Sequence, residues 1–387
     1  MEVRIGDSIE CNPTVKLVKG NEYPLIDIDK ITVGRKLVTN KDTIVYEKQS
    51  GCKFQNGDTL MARITPCLEN GKMAMASIPD KGIGSTELFV FRGKKGITDN
   101  DFVYYFLKQS YIRNLAANSM TGASGRQRAD LKFIKKIKFD LPTLPIQQKI
   151  ASTLSAYDRL IENNTRRIRL LEQMAENLYK EWFVRFRFPE HEKVEMVNGL
   201  PKGWNEEELG NIADVCMGSS PKSEYYNDEK KGLPFHQGVG SFGERFVLDN
   251  TYSTSYSQIA NPMSILFSVR APVGRLNYTR NRIAIGRGVA AINHKEGMQS
   301  LLFYTLKAKF FKEDIVGNGA IFSSITKKEL LKLKLIVPIK ELRVVFNNKI
   351  NKIDREIDIL YKQNQLLTRQ RDLLLPRLMS GKLEVKS

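Results

Sequence analysis

The sequence predicts an α+β protein in which two similar mixed α/β domains are joined by two long helices that pair as an antiparallel coiled coil. Three observations predict this fold class. The 387-residue chain repeats itself, each half contains short strand-like runs between Gly, Pro and Asn turns, and each half ends in a long heptad pattern. The two halves are therefore expected to be related by a pseudo-twofold axis.

The internal repeat is clearest along the two long helical segments, where one constant shift superimposes the sequence on itself. This shift places Asp158 on Asp354, Ile161 on Ile357 and Leu171 on Leu367. Upstream, with small gaps, Tyr105 matches Tyr304, Gly122-Ala123 matches Gly319-Ala320, and residues 59–66 resemble residues 264–272. A tandem duplication of one unit explains all of these matches.

The repeat sets the predicted domain boundaries. The first globular domain covers residues 1–141, and the first long helix covers residues 142–186. Residues 187–337 contain a Pro/Gly-rich joint and the second globular domain. Residues 338–387 form the second long helix and a C-terminal tail.

The two long segments carry apolar residues at alternating spacings of four and three, which is the heptad pattern of a coiled coil. The predicted seam consists of Leu154, Tyr157, Ile161, Asn164, Ile168, Leu171 and Leu178 in the first helix, and of Ile350, Ile353, Ile357, Leu360, Asn364, Leu367 and Leu374 in the second. Such a coil would act as a ruler between the two globular domains.

Two asparagines interrupt this seam and predict its register. Asn164 falls at a d position and Asn364 at an a position, and these layers face each other in an antiparallel pair. The same register pairs Trp182 with Phe346 and Tyr157 with Arg371, where a guanidinium can stack on a phenol ring. The alternative is that each helix packs on its own domain and the asparagines are only tolerated.

The charge balance points to a polyanionic partner. Lys and Arg number 61 against 43 Asp and Glu, giving a net charge of +18. Nucleic acid is the commonest partner of such a protein, although a Lys-rich background composition is the alternative explanation. The chain has no apolar run of about 18 residues, and its Cys and His residues lack metal-ligand spacing, so we expect a soluble intracellular protein without metal or disulfides.

Candidate DNA contacts follow from side-chain chemistry, because Arg reads guanine and Asn or Gln reads adenine through paired hydrogen bonds. We predict contacts from Arg63, Lys72, Arg126, Gln127 and Arg128 in the first domain, and from Lys222, Gln237, Arg270, Arg275, Arg280 and Arg287 in the second. For each residue, a phosphate contact or a plain surface charge is the alternative. Arg63 and Arg270 stand out because the repeat places both at nearly equivalent turns before a proline.

The sequence lacks the motifs of several catalytic classes. It contains no GxxxxGK[ST] phosphate loop, and no GxGxxG motif opens a dinucleotide-binding fold. Asn12-Pro13 and Asn261-Pro262 are not followed by the Pro-aromatic pair of an amino-methyltransferase loop. We therefore predict no catalytic residues, and expect the chemistry to lie in partner proteins.

Four sequence features together resemble the specificity subunits of Type I restriction–modification systems. They are LPTLPIQQKI at residues 141–150, LPKGW at residues 200–204, LLLPRLMSG at residues 373–381, and Asp-x-x-Ile at Asp158 and Asp354. The resemblance covers nearly the whole chain. One departure is PIKEL at residues 338–342, where the family has a Pro-rich start containing Glu and Gln.

The resemblance implies two target recognition domains that each read half of a split sequence in double-stranded DNA, leaving an unread gap. It also implies two modification subunits that carry S-adenosylmethionine, and restriction subunits that use ATP and Mg for translocation and cleavage. The chain itself would be a cytoplasmic, non-catalytic subunit that binds none of these cofactors and no membrane. The alternatives are the recognition subunit of a related system that cuts on both sides of its site, and a coiled-coil scaffold that binds nucleic acid without sequence preference.

Overall fold

The computed structural model describes residues 1–123, 125–310 and 324–384. The chain divides into two compact units: unit 1 contains residues 1–167 and 360–387, and unit 2 contains residues 168–359. These boundaries differ from the predicted ones because each long helix is divided between the units. The predicted match of Gly319-Ala320 lies outside the described residues.

Unit 1 is built mainly from short strands. They are β1 (Glu2–Arg4), β2 (Ile9–Cys11), β3 (Glu22–Ile26), β4 (Leu37–Val38), β5 (Thr43–Val45), β6 (Cys52–Gln55), β7 (Thr59–Ala62), β8 (Met73–Ala76), β9 (Lys81–Gly84), β10 (Leu88–Gly93) and β11 (Lys138–Asp140). They form sheets with the orders β2-β10-β7-β8-β4, β5-β3-β9-β6 and β1-β11. Every residue of β7 and β8 is buried, because these apolar strands lie inside the first sheet.

The helices of unit 1 cover the first sheet. They are α1 (Ile5–Ser8), α2 (Asn100–Lys108), α3 (Ser110–Asn118), α4 (Leu131–Lys136) and the start of α5 (Leu144–Tyr179). Helix α2 begins where the side chain of Asp99 accepts a hydrogen bond from the amide of Phe102. Residues 102–107 are all buried, and they join a core that also contains Leu154 of α5 and Leu375. The long helix therefore packs on the globular part of its own unit.

Unit 2 repeats this plan after a short joint. Its strands are β12 (Met196–Val197), β13 (Leu200–Pro201), β14 (Asn205–Glu208), β15 (Ala213–Met217), β16 (Tyr226–Asn227), β17 (Leu233–His236), β18 (Tyr252–Ser253), β19 (Ile259–Ala260), β20 (Ile265–Ser268), β21 (Leu276–Tyr278), β22 (Ile283–Ile285), β23 (Val289–His294) and β24 (Lys334–Val337). Its helices are α6 (Leu209–Ile212), α7 (Gln299–Phe310), α8 (Lys327–Leu331) and part of α9 (Lys340–Met379).

The sheets of the two units have matching strand orders. The order β15-β23-β20-β21 in unit 2 corresponds to β2-β10-β7-β8 in unit 1, and β14-β24 corresponds to β1-β11. A parallel pair also occurs at an equivalent place in both units, β3 with β9 and β17 with β22, and unit 1 has a second parallel pair, β4 with β8. The duplication that the sequence indicates is therefore visible in the strand pairing of each unit.

Candidate nucleic-acid interface

In unit 1, the segment that follows α3 runs beside the end of β7. The amide of Ala129 donates to the carbonyl of Arg63 (2.8 Å), and the amide of Thr65 donates to the carbonyl of Gln127 (3.0 Å). On the other side of Arg63, its amide donates to the carbonyl of Glu87 (3.0 Å). These bonds gather three of the predicted DNA-contact residues: Arg63, Gln127 and Arg128.

The side chain of Arg63 is held by an aromatic ring. Its guanidinium lies 4.8 Å from the centroid of Phe89, a buried residue of β10. Such a cation–π contact fixes the stem of the side chain without using its hydrogen-bond donors. The Nε of Arg63 is buried and has no hydrogen-bond partner among the described residues. Because this Nε is closed to solvent, a ligand would have to contact the terminal nitrogens of the half-buried Arg63 side chain.

Arg128 is held by a carboxylate that the sequence analysis missed. Its guanidinium binds both oxygens of Glu87, with Nη2 2.6 Å from Oε1 and Nε 2.9 Å from Oε2. The hydrogen bond from Arg128 lowers the pKa of the Glu87 carboxyl. No local pattern could have revealed this pair, because the two residues are 41 positions apart.

A cavity of about 590 Å³ lies beside these arginines. Its lining includes Asn12, Arg63, Phe89, Thr121, Arg128, Lys132 and Lys135. The wall therefore combines an aromatic face with several cations, which suits contact with phosphates and base edges. Of the remaining predicted residues, Arg126 is exposed, whereas the ammonium of Lys72 donates to the carbonyl of Ile28 (3.0 Å), outside this cavity.

Unit 2 contains the same arrangement of backbone hydrogen bonds around the residue that follows the end of β7 in unit 1 and of β20 in unit 2, and we call this arrangement the frame. The amide of Ile325 donates to the carbonyl of Val269 (2.9 Å), and the amide of Val269 donates to the carbonyl of Gly288 (3.0 Å). An isolated bridge joins Arg270 to Ser324, as another joins Ile64 to Arg128 in unit 1. The frame therefore makes the same three connections in both units.

These connections define which residues are equivalent. Arg63 corresponds to Val269, Ile64 to Arg270, Glu87 to Gly288 and Arg128 to Ser324. Arg63 and Arg270 therefore lie at nearly equivalent positions, offset from each other by one residue in the frame. Because neighbouring residues of an extended chain point in opposite directions, the two arginines differ in orientation. The two units carry different polar side chains on one frame.

Two further predicted residues of unit 2 lie next to this frame. Arg287 is in the turn between β22 and β23, and its amide donates to the Oγ of Ser220 (3.0 Å). The turn packs tightly on the segment after β17, since a Cβ on Gly288 would lie 2.2 Å from the carbonyl oxygen of Gln237. Gln237, Arg270 and Arg287 all have exposed side chains.

Three other predicted residues lie apart from the frame. Lys222 is exposed and 3.9 Å from Glu224. Arg275 lines a different cavity with Arg245 and Lys307. Arg280 forms an ion pair with Asp358 (2.8 Å) and lies over the ring of Phe246, so its charge is used within the protein.

The seam residues of the two long helices are all buried or half-buried. Within unit 1, the amide of Asn164 donates to Gln363 (3.3 Å), and that of Asn364 donates to the Oγ1 of Thr165 (3.2 Å). The asparagines are thus in one polar layer, but they bind neighbouring residues instead of each other. Within unit 2, the rings of Trp182 and Phe346, which the register paired, have centroids 5.6 Å apart.

The expected stacking of Arg371 on Tyr157 is replaced by an ion pair. Arg371 is only 2% exposed, and its guanidinium binds the buried carboxylate of Asp158 and the exposed carboxylate of Asp372. A buried guanidinium needs a charged partner more than a ring, because burial without one costs several kcal/mol. The hydroxyl of Tyr105 donates to the same Asp158 carboxylate.

Asp354 of unit 2, the repeat partner of Asp158, is also a buried acceptor. It binds the guanidinium of Arg245, a residue of the globular part, and the hydroxyl of Ser300. Burial raises the pKa of the Asp354 carboxyl. Each unit therefore fastens its globular part to a long helix through a buried aspartate.

Several large apolar side chains on the long helices point away from the seam. These exposed residues are Leu160, Leu170, Met174, Ile359, Leu366 and Leu373. They belong to none of the hydrophobic clusters of the described residues. In the part of the chain that the structure describes, no helix is long and apolar enough to span a membrane, and no group of three or more His, Cys, Asp or Glu residues could hold a metal ion.

Two mixed α/β units with one frame and different polar side chains define a class of DNA-binding protein with duplicated recognition domains. A sequence profile of the family described as Type I restriction modification DNA specificity domain matches residues 2–173 and 201–369. The chain belongs to this family. The predicted resemblance is thereby confirmed, and the chain is a DNA sequence-specificity subunit of a type I restriction–modification system.

Individual relatives agree with this assignment. A putative type I restriction enzyme specificity subunit of Methanocaldococcus jannaschii is 29% identical over 375 residues, which cover 94% of this chain and 88% of the relative. A type I restriction enzyme specificity subunit of Haemophilus influenzae is 23% identical and covers 85% of this chain and 87% of its own length. The crystal structure of a type I S subunit from M. genitalium has the same fold, with a TM-score of 0.57, 18% identity, and coverage of 98% of this chain and 96% of that one.

Proposed function

We propose that this subunit reads a bipartite DNA sequence with an unread gap, and that each unit reads one half-site. One observation carries the proposal: the hydrogen-bonded frame is the same in both units, whereas its side chains differ. Arg63, Glu87 and Arg128 in unit 1 are replaced by Val269, Gly288 and Ser324 in unit 2. Equal frames with unequal donors and acceptors suit two half-sites of different sequence.

The long helices set the gap in this proposal. They pair as an antiparallel coiled coil about a pseudo-twofold axis at the asparagine layer. The contacts of Asn164 and Asn364 in unit 1 and of Trp182 with Phe346 in unit 2 support this register. The unread length of DNA then depends on the number of heptads between the two recognition domains.

The chain performs no chemistry in this proposal. Modification subunits, two per chain, carry S-adenosylmethionine and methylate adenine, and restriction subunits carry ATP and Mg. The absence from the sequence of a GxxxxGK[ST] phosphate loop and of the Pro-aromatic pair of an amino-methyltransferase loop supports this division of labour. The off-seam leucines, Leu160, Leu170, Leu366 and Leu373, supply apolar surface for the modification subunits. The complex acts in the cytoplasm, where the DNA of its host lies.

The test is methylation mapping by long-read sequencing in a strain that lacks the gene and is complemented with variants. The intact gene should restore adenine methylation at one split motif. Arg63→Ala should relax one half of that motif and Arg270→Ala the other half, because loss of a paired base contact costs about 1–3 kcal/mol of discrimination. Lys95→Ala, on an exposed turn, is the matched control and should leave the motif unchanged.

Two results would contradict the proposal. If Arg63→Ala and Arg270→Ala weakened methylation uniformly at an unchanged motif, these residues would contact only phosphates. If both variants relaxed the same half-site, the assignment of one half to each unit would be wrong.

A further inference from the structure

A second cavity lies in unit 1, and its lining shares no residue with the cavity beside Arg63. It has a volume of about 420 Å³. Its wall is formed by loops of the globular part, by α2 and α3, and by the last turns of α9. Cavities of about 300–1,000 Å³ are typical of sites for small molecules.

The wall of this cavity is largely apolar and aromatic. Its uncharged side chains include Met61, Leu68, Met73, Tyr104, Leu107, Tyr111 and Leu375. Leu68, Leu107 and Leu375 also belong to the hydrophobic core of the unit, so the wall is held by the packing of the fold. A ligand that enters must therefore present a flat or compact apolar body.

The same wall carries more positive than negative charge. The cations are Lys72, Lys108, Arg113 and Arg371, and the carboxylate is Asp372. Arg371 already binds Asp158 and Asp372. The guanidinium of Arg113 lies against the backbone of Gly71, where a Cβ would be 2.8 Å from its Nη1.

Among the described residues, Lys108 has no carboxylate within ion-pair distance. Its ammonium makes a hydrogen bond of 3.3 Å to the hydroxyl of Tyr104, which is neutral, because burial raises the pKa of that hydroxyl far above the physiological range. Burial and repulsion by Arg371 lower the pKa of Lys108 to about 8. An ammonium with a neutral partner in an apolar wall is stabilised by any anion that reaches it.

We propose that this cavity binds a small organic anion, whose apolar ring lies among the leucines and tyrosines and whose carboxylate, sulfonate or phosphate group binds Lys108 and Arg113. The site goes beyond the recognition frame, since its wall includes Lys108, Arg113 and the last turns of α9, none of which belongs to that frame. The ligand contacts the globular part and a long helix at once. It therefore stabilises the packing between them.

The test uses a matched pair of probes on the purified full-length chain. Anilinonaphthalene sulfonate carries an apolar ring system and a sulfonate, whereas phenylnaphthylamine has the same ring system without the charge. Binding is measured by fluorescence titration and by calorimetry. We expect saturable binding of one sulfonate per chain, and binding of the neutral probe at least about tenfold weaker, as expected for loss of a charge-assisted hydrogen bond.

Variants locate the site. Lys108→Met keeps the length of the side chain and should weaken sulfonate binding about tenfold or more, while leaving the neutral probe unaffected. Arg113→Met, on the neighbouring helix α3, should have the same effect. This second variant tests the site if Lys108→Met fails to fold. Lys95→Met, on an exposed turn of the same unit, is the control and should bind the sulfonate normally.

The pH dependence provides an independent readout. The charges around Lys108 are Arg371 and Lys36, which repel its proton, and Asp158 and Asp372, which attract it. Lys108 loses its charge as the pH rises through about 8, so sulfonate binding should weaken between pH 7 and pH 9. Equal affinity for both probes, or sulfonate binding that neither variant changes, would overturn the proposal.

Discussion

At the scale of single residues, the buried pair of Asp158 and Arg371 has the largest expected effect on stability. Both side chains are less than 7% exposed, and the pair joins the two long helices within unit 1. Asp158→Asn leaves the guanidinium with only the exposed Asp372 as a charged partner. Because an uncompensated buried charge costs about 3–5 kcal/mol, we expect a loss of about 3 kcal/mol in the free energy of unfolding, measured by urea denaturation.

The matched control is Asp372→Asn, which removes the other carboxylate bound to Arg371. Asp372 is 51% exposed, and exposed ion pairs contribute about 0–1 kcal/mol. The control should therefore shift the urea midpoint little. Equal effects of the two substitutions would show that burial does not increase the contribution of the Asp158–Arg371 pair to the free energy of unfolding.

The sequence could not predict these buried charges. Asp158 and Arg371 are 213 positions apart, and Arg371 occupies a position that the heptad pattern assigned to the seam. Which side chain compensates a buried guanidinium depends on three-dimensional packing, on which a periodic pattern carries no information. The same limit applies to Glu87 and Arg128, whose pairing depends on the fold bringing β10 beside the segment after α3.

At the scale of elements, the polar layer of the long helices costs stability. The Oδ1 of Asn364 is buried and has no hydrogen-bond partner among the described residues. Asn364→Leu removes this unsatisfied acceptor and adds apolar contact. We expect the free energy of unfolding to rise by about 1 kcal/mol, because a buried unpaired polar group costs about 1–3 kcal/mol and the bond to Thr165 is lost.

The register of the helices should survive this change. In unit 1 the Asp158 pair fixes the alignment independently of the asparagines. A disulfide engineered between the helices of unit 1 should therefore form equally well in the parent and in Asn364→Leu. A lower urea midpoint of unfolding for Asn364→Leu, or loss of the disulfide cross-link, would show that the asparagine layer is required to specify the register.

The heptad pattern predicted the elements better than it predicted single contacts. The spacing of apolar residues identified both long helices, and the structure gives them as Leu144–Tyr179 and Lys340–Met379. This succeeds because burial of one helical face is a local, periodic constraint. The pattern gave no sign that a π-helical turn, Lys180–Val184, follows the first helix, because both helix types use the same residues.

At the scale of the whole molecule, the duplication separates scaffold from specificity. The frame around β7 and β20 uses backbone hydrogen bonds, which do not depend on side-chain identity. Side chains on the frame are therefore free to differ, as Arg128 and Ser324 do. The sequence showed the duplication and placed Arg63 and Arg270 at nearly equivalent turns, whereas their offset of one residue became visible only from the backbone pairing.

The last prediction concerns the length of the long helices. Deleting residues 165–171 together with residues 357–363 removes one heptad from each helix and keeps Asn164 and Asn364. Seven residues correspond to about 10 Å of helix and preserve the phase of the seam to about 20°. We expect methylation mapping to show both half-sites unchanged and a gap shortened by at most about three base pairs.

The control for this deletion keeps the helix length and replaces three exposed charged residues of the same two heptads, Arg166, Arg169 and Lys362, by Ala. It should leave the gap unchanged, because it alters charge without altering the number of residues. Deletion from one helix only should abolish methylation, since the seam then loses its partner residues. An unchanged gap after the paired deletion would show that the helices do not measure the spacing, and that the gap is set by the globular domains or by the modification subunits.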